Sequence, residues 1–118
     1  GKFVAHQADN DTRAILSQLK ETGYDMHECF ATAPLVPTTF KEAREALGPD
    51  VTIFGAIPSI VIEEDVSESE FEEYMEDVFD NIAPGDRTIL GIADNMMPSS
   101  MLSRVKRIVE MIDERAAV

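Results

Sequence analysis

Strict alternation of strand and helix patterns constrains this chain more than any other feature. Four short β-prone runs cover residues 2–6, 25–30, 51–57 and 87–92, and each is followed by a helical pattern. Residues 12–22 place Ala14, Ile15 and Leu19 on one side and stop at Gly23, with Asp11 positioned to accept a backbone N–H at the start. Phe40–Leu47 ends at Gly48-Pro49. Ser67 and Glu70 form a capping-box pair ahead of Phe71, Tyr74, Met75, Val78 and Phe79, and that helix closes near Pro84-Gly85. Pro98-Ser99-Ser100 opens a last helix, whose Leu102, Val105, Ile108, Val109 and Ile112 are spaced as a buried stripe. Such alternation implies parallel strands joined by right-handed crossovers. A (β/α)8 barrel takes about 250 residues, or about 31 per unit. The 118 residues therefore predict an α/β fold, a partial TIM barrel of about four parallel βα units in one domain, 1–118.

Charge and composition exclude several functions. With 23 acids against 10 bases the net charge is −13, which disfavours a nucleic-acid-binding face. The acids concentrated between residues 63 and 80 read as a solvated helix face. The longest apolar stretch, 51–62, is interrupted and too short to cross a bilayer. The first residues lack the layout of a signal peptide, and Cys29, the only cysteine, forms no internal disulfide. A cytoplasmic, reducing setting is the expectation.

In parallel α/β folds reactive side chains gather at the C-terminal strand ends. The polar residues here fall at those places: His6, Gln7, Asp9 and Asn10 after the first strand, Glu28, Cys29 and Thr32 at the second, Ser59 after the third, and Asp94 and Asn95 after the fourth. Unbroken two-residue alternation puts Met26, Glu28 and Phe30 on one face, and His27 and Cys29 on the other. Glu28 then points at the barrel axis, where a carboxylate is costly unless paired or used. Cys29 becomes a buried, inert core residue, and His27 a structural one beside a helix. Met96, Met97, Met101 and Met111 read as core filler. Gly55 and Gly91 read as sites of close packing, since no dinucleotide or phosphate-loop pattern surrounds them.

Five segments, in order, resemble the uroporphyrinogen decarboxylase and cobamide methyltransferase superfamily. They are His6-Gln7-Ala8-Asp9-Asn10; Glu21-Thr22-Gly23-Tyr24-Asp25 leading to Glu28 and Thr32-Ala33-Pro34; Thr39-Phe40-Lys41-Glu42-Ala43-Arg44; Phe54-Gly55-Ala56-Ile57-Pro58-Ser59; and Ile89-Leu90-Gly91-Ile92-Ala93-Asp94-Asn95-Met96-Met97-Pro98. The resemblance spans the C-terminal part of that family's barrel. It implies a methyltransferase that passes a methyl group from a small donor to a corrinoid protein, with His6, Glu28 and Asp94 as catalytic candidates and Asp9, Asn10, Ser59 and Asn95 as substrate-binding ones. Thiol-methylating members pair a histidine at the His6 position with a zinc-binding cysteine, and Ala8 stands in that cysteine's place, so a cysteine-type zinc site is not expected. His6 is then a candidate metal ligand with carboxylates, a proton donor, or a histidine bonded to a backbone carbonyl. Asp94 stands where the decarboxylases resemble a Gly-His-Gly turn, which leaves decarboxylation as the alternative chemistry; Asp94 and Asn95 also suit simple turn-making. The other reading is a non-catalytic half-barrel that self-associates, because four strands leave two open edges.

Overall fold

The computed structural model describes residues 1–8 and 10–116. Four strands, β1 (Ala5–Gln7), β2 (Met26–Phe30), β3 (Thr52–Pro58) and β4 (Thr88–Ala93), form one sheet in the order β1-β2-β3-β4, every pair parallel. Between and after them lie α1 (Leu16–Glu21), α2 (Phe40–Leu47), α3 (Glu68–Ile82) and α4 (Leu102–Ala116). A sheet whose spatial order equals its chain order winds in one direction, so right-handed crossovers put every helix on the same face. This is the α/β arrangement of consecutive units in a (β/α)8 barrel, and it has about four of them. Among the described residues no helix is long and apolar enough to cross a membrane.

Local chemistry explains the helix starts. Thr39 and Ser67 each accept a backbone N–H from the glutamate three residues on, Glu42 and Glu70, which reaches back to the cap's own N–H. Residues 12–22 divide into a 3-10 turn, Arg13–Ile15, and the shorter α1; Asp11 accepts the Arg13 N–H at 3.1 Å.

Helix-facing residues form two apolar clusters that share Ile82 and Leu90. One gathers Leu16, Leu19, Tyr24, Phe30, Phe40, Leu47 and Ile53, the other Ile57, Ile62, Phe71, Met75, Ile108 and Met111. The stripe expected on α4 is displaced. Leu102 and Val109 stand 62% and 54% exposed, while Arg104 and Met111 point inward. Arg104 is drawn in because the loop after β3 offers it acceptors: the carbonyls of Val61, Glu63 and Val66, with Glu68 at 3.2 Å and the Phe71 ring beneath. Of the four methionines read as core, only Met111 is fully buried. Met96 and Met97 are exposed because the segment after β4 runs on to residue 101 before α4 begins, with no helix over it.

At the N-terminal end of the sheet Arg44 collects four carbonyls, those of Gly48 (2.9 Å), Val51 (2.7 Å), Asp86 (3.3 Å) and Arg87 (2.9 Å). One planar guanidinium thereby ties the end of α2 to the entries of β3 and β4.

Candidate functional site

Three of the four non-glycine residues with left-handed backbone among those described lie at the C-terminal strand ends; the fourth, Arg87 (φ 53°), is at the entry to β4. Cys29 (φ 60°), Ala56 (φ 70°) and Asp94 (φ 68°) are left-handed although none is glycine, and each lies in the C-terminal half or at the end of β2, β3 or β4. Such conformations cost about 1–3 kcal/mol each and persist where the surroundings impose them, often at functional sites. Gly55 (φ 130°) adds another irregularity. A Cβ there would lie 2.7 Å from the Phe30 backbone nitrogen, so only glycine lets β3 approach β2 this closely.

The irregularity of β2 overturns the expected facing of Cys29. Register shifts between His27 and Phe30, so the two-residue alternation breaks inside the strand. Phe30 therefore turns to the helix side with His27, their rings 5.8 Å apart. Cys29, half-exposed, turns to the strand-end rim, where its Sγ accepts the Asp94 N–H at 3.2 Å. A thiol from β2 and the turn after β4 thus meet across the end of β3. Glu28, the preceding residue, is half-exposed and stands level with Gln7 of β1. Of these two acids, Asp94 meets Cys29 here, and Glu28 is the residue before Cys29 on β2.

His6 is placed elsewhere. It is level with His27 in the β1–β2 ladder, and its ring lies 5.5 Å from Tyr24 and 5.9 Å from His27. His27 is fully buried, its Nδ1 is 3.1 Å from the Tyr24 hydroxyl, and its Nε2 has no partner among the described residues. Burial, with His6 nearby, pushes the His27 imidazole down to about 4, and burial raises the Tyr24 phenol. His6 therefore belongs to an aromatic row on the helix side of the sheet, apart from Glu28 and Asp94. Among the described residues no three His, Cys, Asp or Glu side chains gather as a metal site.

The substrate-binding candidates also separate. Asn95 is exposed beside Asp94, whose Oδ1 accepts the Asn95 N–H at 2.7 Å, so Asp94 shapes the turn while α4 starts only at Leu102. Ser59 is buried at the start of the 3-10 turn after β3. Asn10 is exposed and accepts the Asp11 N–H at 2.8 Å. Asp9 lies outside the described residues.

Below the rim, alternation turns Phe54 and its β4 neighbour Ile89 away from the helices. Phe54 lies against Gly91, where a Cβ would come within 2.5 Å of the ring. The helix-free face of the sheet thus has an apolar floor under an acidic edge. The two arginines near this end are occupied: Arg13 binds Glu42 (2.9 Å) and the Pro37 carbonyl (2.6 Å), and Arg104 is 2% exposed within its ring of carbonyls. Sequence reasoning misses Cys29 at the rim because no glycine or proline marks the β2 irregularity. No family model matches this chain, and no curated protein matches it.

Proposed function

We propose that the chain forms part of a uroporphyrinogen-decarboxylase-like methyltransferase, which moves a methyl group from a small methylated donor to a corrinoid protein. The observation that carries this reading is an acid on β2, Glu28, and one after β4, Asp94, which meets Cys29 across the end of β3, over an apolar floor of Phe54 and Ile89. A flat, uncharged organic donor fits that floor, and the broad apolar face of a corrinoid carried on another protein fits the open side above it. The corrinoid supplies the electron pair that captures the methyl group. Glu28 relays a proton from water to the leaving oxygen or nitrogen as the carbon–heteroatom bond breaks with both electrons staying on that atom. Asp94 and Asn95 hold the donor's polar end.

The competing chemistry, decarboxylation of a polycarboxylate, needs cations at the strand ends. Arg13 and Arg104 are committed to the protein's own carbonyls and carboxylates, which favours the methyltransferase reading. The test is to incubate the chain with reduced cobalamin and a panel of aryl methyl ethers, following visible absorbance and the demethylated product. Transfer that Glu28→Gln slows by about 100-fold or more supports the reading. Transfer indifferent to Glu28→Gln, or loss of carboxylates from uroporphyrinogen instead, refutes it.

A further inference from the structure

The acids of α3 fall into two rows with different surroundings. Glu68, Glu72 and Glu76 face α4, where each pairs with an arginine: Arg104 (3.2 Å), Arg107 (2.8 Å) and Arg115. Glu73, Asp77 and Asp80 follow helical spacing on another side of the helix. All three are exposed, and among the described residues none has an ion-pair partner. Like charges so spaced repel one another, and nothing in α2 answers them.

This second row borders a groove between α2 and α3. Among the described residues no ion pair joins these two helices. The loop between β2 and α2 closes the groove at one end, where the Tyr74 hydroxyl donates to the Ala33 carbonyl at 2.7 Å. Beside that bond lies a cavity of about 190 Å³, floored by Ala56, Val78 and Ile82, with Asp77 and Asn81 at its edge. A second cavity, about 470 Å³, shares Phe40, Asn81 and Ile82 with the first and runs on to Ala83-Pro84. Glu45, Asp80 and Asp86 edge it. The groove therefore has an apolar floor and carboxylate edges. Its cations are Lys41 and Arg44, and Arg44 is committed to four carbonyls. The groove lies between the two middle units, on the outer side of the sheet. Strands added beside β1 or β4 leave it open.

We propose that this groove docks a basic amphipathic helix of a partner protein. Apolar side chains of that helix enter between Phe40, Tyr74 and Ile82, and its lysines or arginines reach Glu45, Asp77 and Asp80 from the flanks. Charge selects this occupant. Residues 25–86 carry sixteen acids and two bases, so nucleic acid, anionic lipid and a second copy of a chain with net charge −13 are all repelled. Backbone chemistry selects a helix. The groove walls are helix flanks, whose N–H and C=O groups are bonded within each helix, so an extended segment finds none to pair with. A helix satisfies its own. The inference stands independently of the methyl-transfer reading, since it uses neither the strand-end rim nor the helix-free face.

Fluorescence anisotropy of a labelled peptide of about 14 residues, leucine and lysine at helical spacing, tests it. A peptide of the same pattern with glutamate for lysine is the comparison. The expected result is saturable one-to-one binding of the lysine peptide at micromolar concentration, and none of the glutamate peptide. Asp77→Asn with Asp80→Asn removes two carboxylates from the groove and weakens binding about tenfold. Glu21→Gln with Asp113→Asn removes the same charge from exposed positions elsewhere and leaves binding unchanged. Asn81→Trp fills the groove from an exposed position, keeps the charge, and weakens binding about tenfold or more. Far-UV circular dichroism of each variant stays that of the parent. Absence of binding, equal binding of the glutamate peptide, equal weakening by the distant pair, or indifference to Asn81→Trp overturns the proposal. So does association of the chain with itself that Asn81→Trp abolishes, which would make a second copy the occupant.

Discussion

Replacing His27 by phenylalanine isolates what a buried neutral imidazole contributes to acid sensitivity. In the folded chain His27 is sealed between Tyr24, His6 and Phe30, and its protonation is pushed down to about 4 from an ordinary 6.5. The unfolded chain takes up this proton first as pH falls. Stability is therefore intact above pH 6.5 and is lost as pH drops through the window down to 4. Linkage gives a loss of about 2 kcal/mol between pH 7 and pH 5 from this one group. The assay is urea denaturation of both proteins at the two pH values, at one fixed protein concentration. The phenyl ring keeps the aromatic volume but leaves the Tyr24 hydroxyl without its partner, so His27→Phe is weaker at both pH values. The comparison of interest is the change with pH, which should shrink by about 2 kcal/mol. If His27→Phe loses as much between pH 7 and pH 5 as the parent, the buried imidazole is not the source and the reasoning fails.

Arg104→Met should cost about 3 kcal/mol, read as a shift in the denaturation midpoint, because the carbonyls of Val61, Glu63 and Val66 lose a shared donor. Gly55→Ala should cost about 3 kcal/mol or more, from the left-handed backbone and the contact with the Phe30 backbone, checked by thermal unfolding. Ser67→Ala removes one half of the α3 capping box and should cost about 1 kcal/mol by the same measurement, with Ser67→Asp close to neutral.

The βα alternation is readable because it rests on local signals. Glycine and proline stops, two capping boxes and apolar spacing place α2 and α3, and the four β-prone runs fall on the four strands within one to three residues at each end. What local pattern does not supply is the facing of particular side chains. Cys29 escapes it because alternation assumes an unbroken strand, and the break between His27 and Phe30 comes from the close passage of Gly55, some 25 residues away in the chain. Arg104 is invisible as a buried residue because its acceptors are carbonyls, which any sequence carries; only the path of the loop after β3 brings three of them together. On α4 the apolar spacing is real, but it describes a helix with two apolar sides, one packed on the sheet and one turned outward. Position at a strand end groups His6 with the acids, whereas the β1–β2 register sends it to the helix side with His27.

Arg44 has a consequence for how such a chain can change over time. Its four carbonyl contacts hold the sheet at the end away from the rim, and they depend on backbone atoms rather than on neighbouring side-chain identity. Insertions, deletions and substitutions in the turns that follow β2, β3 and β4 therefore leave this clasp untouched, and the strand spacing with it. New specificities at the rim can be tried without renegotiating the fold, whereas the short turns beside Arg44 tolerate little change in length.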